Sequence, residues 1–215
     1  MPFSDYAIDN FISPNFSQLT ECNAADLAAR FPNAENWFAS FILNSTFGHR
    51  IGEPGRKFGY LFLRRAEAAF INYSLARTAL EEFTLSEKAG DRKLLSYFRA
   101  LHFFEATLAV WQAFKIYSRI AKQEPYQKGD GSNYEKLNDL YNLSRHTDPA
   151  SFGPQQWHVI WITNDGLASG NVSLPFSALE QLMVEVGDLA TYIASCEWHQ
   201  PQSENESGEG ADVHP

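Results

Sequence analysis

Cysteine is scarce in this chain of 215 residues: Cys22 and Cys196 stand far apart and in no CxxC or other ligand spacing. Neither a disulfide framework nor a thiolate metal site is expected from them, and two reduced thiols of a cytoplasmic protein are the simpler reading. Long apolar runs are missing as well. No stretch approaches roughly 18 uninterrupted apolar residues, so no membrane span is expected. The opening "MPFSDYAIDNFISPNF" has neither the basic nor the apolar region of a signal peptide. Positive charge is in deficit, with 17 Lys and Arg against 26 Asp and Glu and a formal net charge of -9. A protein that grips nucleic acid through its phosphates should carry a basic face, and none is evident. Much of the acidic excess sits in the tail "SENESGEGADVHP".

The common signatures of catalysis are absent too. There is no G-x-S-x-G elbow, phosphate loop, G-x-G-x-x-G or HExxH, which removes the commonest hydrolase, nucleotide-triphosphate and zincin readings. A carboxylate-bridged metal pair in a helical bundle needs Glu-x-x-His on two helices. This chain offers only the reversed pair His102 and Glu105. No metal and no other cofactor is expected.

What the chain does have is helical periodicity rich in aromatics, which make up 14% of it. Asn23 before "AADLAARF" and Asn33 before "AENWFASFIL" suit helix N-caps, and glycines and a proline in "GHRIGEPGRK" then punctuate the chain. Apolar spacing predicts a long helix over residues 57–83, broken by "TLSEKAGD", and a second over 92–122 that is apolar on most sides and therefore central. After the loop "QEPYQKGDGSN", Asn133 is placed to cap a shorter helix that stops before Pro149. "WHVIWIT" followed by "NDG" reads as a strand entering a tight turn, with "LASGNVSL" returning. A last helix is expected from Ser177 to Cys196, with Ser177 and Glu180 spaced as a capping box. The fold class expected is mostly α: an up-and-down helical bundle of four to five main helices with an N-terminal helical layer and a small β-hairpin. One domain would span residues 1–198, followed by a disordered acidic tail over 199–215.

Glu105 stands out because Phe103, Phe104, Ala106 and Leu108 surround it. A buried carboxylate is costly unless paired. Arg64 and Arg65 on the neighbouring long helix are the expected partners, with a polar pocket inside the bundle as the alternative. Trp157 and Trp161 on the hairpin suit either a lid over the core or an interface anchor.

The remaining cluster is "DLYNLSRHTD". On a helix, Asn142 and His146 share one face, and Tyr141 and Arg145 form a second such pair beside it. A His in polar surroundings at a helix end suits acid–base work near neutral pH. An Arg next to it suits a phosphate or developing negative charge. The plain alternative is an ordinary last helical turn terminated by Asp148 and Pro149.

The piece "YNLSRH" within this bundle resembles the HEPN superfamily (higher eukaryotes and prokaryotes nucleotide-binding domains). The family signature reads R-N-x-x-x-H near a helix end. Asn142 and His146 match the N-x-x-x-H part, while Tyr141 stands where the Arg belongs. The resemblance implies a compact helical bundle of a bacterial defence or toxin–antitoxin type, acting on RNA without a metal, usually across a homodimer. In such a site His146 would be the general acid or base, Asn142 would orient the phosphate or the imidazole, and Arg145 would stabilise charge. Tyr141, Asp148, Glu105 and Arg65 would supply binding contacts around it. A different class of reading, a non-catalytic helical module that binds a ligand or partner protein, is favoured by the missing motif Arg, the acidic body and the aromatic hairpin.

Overall fold

The N-terminal segment holds less helix than expected, because distant side chains claim its backbone. In the computed structural model, which describes residues 9, 13–14, 16–47, 53–145 and 160–196, no helix forms over 24–31. Ala25 N–H donates to the Glu180 carboxylate at 2.6 Å, and the Ala24 carbonyl accepts from Arg77 Nε at 3.0 Å. Asn23, expected to cap a helix, instead donates its side-chain amide to Asp165 at 3.1 Å. Ala24, Leu27 and Phe31 are buried all the same, so the segment lies against the core as a strap that turns at 28–30. Asn33 precedes a 3-10 turn, Ala34–Asn36, without a side-chain cap. Helix α1, Trp37–Phe47, follows directly.

Helix α2, Glu53–Lys88, carries on five residues past its expected end at Phe83 and breaks within the expected segment "TLSEKAGD". The Thr84 and Ser86 hydroxyls donate back to the Glu81 and Phe83 carbonyls at 3.1 and 2.7 Å, which satisfies these two buried groups within the helix. The helix stops where Gly90 takes φ +74°, a left-handed cap closed by Asp91 N–H donating to the Ser86 carbonyl.

The single helix expected over 92–122 is two, α3 (Leu94–Thr107) and α4 (Val110–Ala121). No proline or glycine separates them. Leu108 and Ala109 keep right-handed helical angles, but Trp111 and Gln112 donate to the carbonyls three residues back rather than four. This tightened 3-10 joint divides the two helices. The α2–α3 pair is antiparallel: Phe83 meets Tyr97 at 5.7 Å between ring centroids, and Tyr73 meets Phe104 at 6.1 Å.

Helix α5, Asn133–Arg145, begins at its expected cap, one residue earlier than predicted. Ser132 is the capping residue, its hydroxyl accepting from Glu135 N–H, while the Glu135 carboxylate gathers the Gly129 and Gly131 amides. Among the described residues the expected hairpin is a three-stranded antiparallel sheet: β1 (Trp161–Ile162), β2 (Gly166–Ser169) and β3 (Val172–Pro175). The expected return strand folds on itself at Gly170, whose φ is +51°. Asn164 in the first turn accepts the Thr20 and Glu21 amides and donates to the Gln18 carbonyl, tying the sheet to the N-terminal strap.

Helix α6, Phe176–Ser195, leaves β3 at Pro175 with no side-chain cap. The expected capping box of Ser177 and Glu180 does not form, because Glu180 is turned to Ala25 and to the Tyr73 hydroxyl, 3.0 Å away. The protein is thus mostly helical with one small antiparallel sheet, and no helix among the described residues is long and apolar enough to cross a membrane. Trp161 is buried, which makes it a core residue; Trp157 and the tail 199–215 lie outside the described residues.

Candidate functional site

The end of α5 presents its polar residues on two adjacent lines. Leu137 and Leu140 are its fully buried anchors, which leaves Tyr141 half-buried and Asn142 and Arg145 exposed. The Tyr141 hydroxyl is held by the Gln112 side-chain amide at the start of α4. One turn on, Arg145 folds back so that its guanidinium carbon lies 5.2 Å from the Tyr141 ring centroid, a cation–π contact that suits their four-residue spacing. Ser144 caps the turn internally by donating to the Tyr141 carbonyl at 2.8 Å. The cation of this cluster therefore sits over the residue that stands one position before Asn142. His146 and Asp148 lie outside the described residues.

The other two expected members of the site are not joined to it by any described contact. Glu105, near the end of α3, has no hydrogen bond or ion pair among the described residues, so the bridge expected from Arg64 or Arg65 does not form. The antiparallel register explains this. Tyr73 faces Phe104, so Arg65 lies eight residues, about 12 Å, further along α2. Arg64 instead donates to the Tyr60 hydroxyl at 3.4 Å and lies over the Phe38 ring. Burial without a counter-charge pushes the Glu105 carboxyl up to about 6. That value suits proton exchange near neutral pH. Among the described residues no group of three His, Cys, Asp or Glu side chains is arranged to hold a metal ion.

Two features escaped the sequence. The first is the knot at Tyr73, a fully buried ring whose hydroxyl lies within hydrogen-bond reach of both Glu180 and the Ala25 carbonyl. Burial, then the Glu180 charge, raises the Tyr73 phenol far above its usual value, so it stays protonated and donates. The second is a cavity of about 390 Å³ walled by α2, α4 and α6 and closed at one side by the start of α5. Its one available signal was Glu185, an acid lodged between Val184 and Val186 on the last helix. No family model, no curated protein and no solved structure matches the chain.

Proposed function

We propose that the chain is a HEPN-like, up-and-down helical bundle of a bacterial defence or toxin–antitoxin type that acts on RNA at the end of α5. The observation that supports this reading is the position of Arg145, whose guanidinium folds over Tyr141, the residue standing where the family motif has its Arg. A cation supplied from one turn later serves the same need: it neutralises a phosphate and the charge that develops on it during cleavage. His146 acts as general acid or base and Asn142 orients the phosphate or the imidazole. The reaction is attack of a ribose 2′-hydroxyl on its own phosphate, with loss of the 2′-hydroxyl proton and protonation of the leaving 5′-oxygen. The products are a 2′,3′-cyclic phosphate and a 5′-hydroxyl end. Incubating the purified protein with a structured RNA in the presence of a chelator tests this. Cleavage that is lost in His146→Ala and Arg145→Ala supports the reading, and no cleavage by the wild type contradicts it.

A second reading, a non-catalytic interaction module, is supported by one specific observation. The C-terminal part of α1 and the adjoining turns of α2 leave large apolar side chains exposed, Leu43 at 56% and Leu61 at 50%, with Ile42, Tyr60 and Leu61 lining one open recess. Contiguous exposed apolar surface marks interaction sites. Light scattering of the wild type and of Leu43→Ser tests it, the expected result being self-association or partner capture that the variant loses.

A further inference from the structure

The cavity beside α4 is independent of the α5 cluster, and its chemistry is one-sided. Phe62, Phe114, Val186 and Leu189 form its apolar walls. Its polar lining includes the carboxylates of Glu185 and Glu124, and no Lys or Arg is among the described lining residues. The two acids differ in what they offer. Glu124 is engaged by Lys115 Nζ at 2.9 Å on the open side. Glu185 accepts the Tyr134 hydroxyl on Oε2, while its Oε1 has no hydrogen-bond partner among the described residues. Tyr134 is itself fixed edge-on against Phe114, 5.1 Å between centroids, so the carboxylate is oriented by a rigid neighbour. Glu185 thus brings a carboxylate with an acceptor to spare to a hollow of mixed polar and apolar lining, large enough for a small molecule.

The hollow also has a direction. Phe62, Tyr117 and Leu189 are shared with a second, smaller apolar recess that extends toward Phe58 and Ile193. A molecule seated with its donor at Glu185 would lay its apolar body along α6 into that recess.

We propose that this cavity binds a primary ammonium group carried on an apolar body, the ammonium donating to Glu185 and the body packing between α2, α4 and α6. An anion is disfavoured by the acidic lining, and a neutral alcohol forfeits the charge-assisted bond. Two sources carry this chemistry: a free alkylamine, or a lysine side chain flanked by apolar residues in a peptide.

Calorimetric titration of the full chain with hexylamine, hexanol, hexanoate and the peptide acetyl-Phe-Lys-Leu-amide tests the proposal and separates the sources. Saturable binding of hexylamine is expected, at least about tenfold tighter than hexanol, with hexanoate not binding. Glu185→Gln should weaken the amine by a similar factor while its thermal unfolding stays cooperative. Ala121→Phe, a change at an exposed residue lining the cavity, should block entry and serves as the second test should Glu185→Gln fold poorly. Hexylamine binding without peptide binding supports the free-amine source, and the reverse supports a peptide lysine. Failure of both probes at millimolar concentration, equal binding of amine and acid, or amine affinity untouched by either folded variant would overturn it.

Discussion

Arg145 lies over the ring of Tyr141, its guanidinium carbon 5.2 Å from the ring centroid, and Tyr141 is in turn hydrogen-bonded to Gln112. The charge at the end of α5 is thereby held back along its own helix. Restoring the family arrangement by Tyr141→Arg should place a second cation directly before Asn142. The expected outcome is RNA cleavage at least about tenfold faster than the wild type, if one transition-state charge contact is gained. Loss of the Gln112 hydrogen bond should cost about 1 kcal/mol of stability. Fragment analysis after timed incubation measures the first and urea denaturation the second.

Glu105 gives a pH prediction whose sign follows from its burial. Its folded pKa is raised to about 6 by desolvation, above the unfolded value, so the folded state binds the extra proton. Its penalty is absent below the unfolded pKa and grows as pH rises through about 6. Glu105→Gln should therefore be more stable than the wild type at pH 7 to 8, by about 1 kcal/mol after allowing for partial solvent screening. The difference should vanish below about pH 4.5. Thermal unfolding across that range is the measurement.

Two buried tyrosines should respond oppositely to loss of their hydroxyls. Tyr73 lies against Glu180 and the Ala25 carbonyl, so Tyr73→Phe should destabilise by about 1 kcal/mol. The Tyr97 hydroxyl is buried and makes no full hydrogen bond among the described residues, with the Ser13 hydroxyl and the Ile162 backbone beside it. Tyr97→Phe should be neutral or stabilising, as denaturant titration of the pair will show.

Two glycines at close approaches make a similar contrast. A Cβ at Gly166 would stand 2.3 Å from the Leu174 carbonyl oxygen and 2.7 Å from Pro175 Cα, both backbone. One at Gly59 would meet the tip of the Phe41 ring at 2.6 Å, beside the small recess that both residues line. Gly166→Ala should cost about 2–3 kcal/mol, whereas Gly59→Ala should be close to neutral because the helix gains about 1 kcal/mol of propensity. Melting temperatures order the two.

The long helices were legible because their apolar residues recur at helical spacing, and the α3–α4 stretch showed its central place through Phe104 and Trp111. The joint at Leu108 and Ala109 was not, since it rests on hydrogen bonds shifting from four residues to three with no proline or glycine to mark them. Local capping signals at Asn23 and Glu180 misled for one shared reason. Each side chain or its neighbouring backbone is claimed by a partner more than a hundred residues away in the chain, which no local pattern announces. In the candidate site, the spacing of Tyr141 and Arg145 was legible, whereas the stacking of one on the other and the link to Gln112 needed the fold. The expected pairing of Glu105 failed because nearness of two helices does not give the register between them.

The most direct test of an RNA-acting site at the end of α5 is controlled expression in a bacterial host, with growth and total-RNA integrity followed together. Slowed growth and fragmented RNA are expected with the wild type, both abolished by His146→Ala at equal protein level. Wild type and His146→Ala behaving identically, with RNA intact in both, would contradict it.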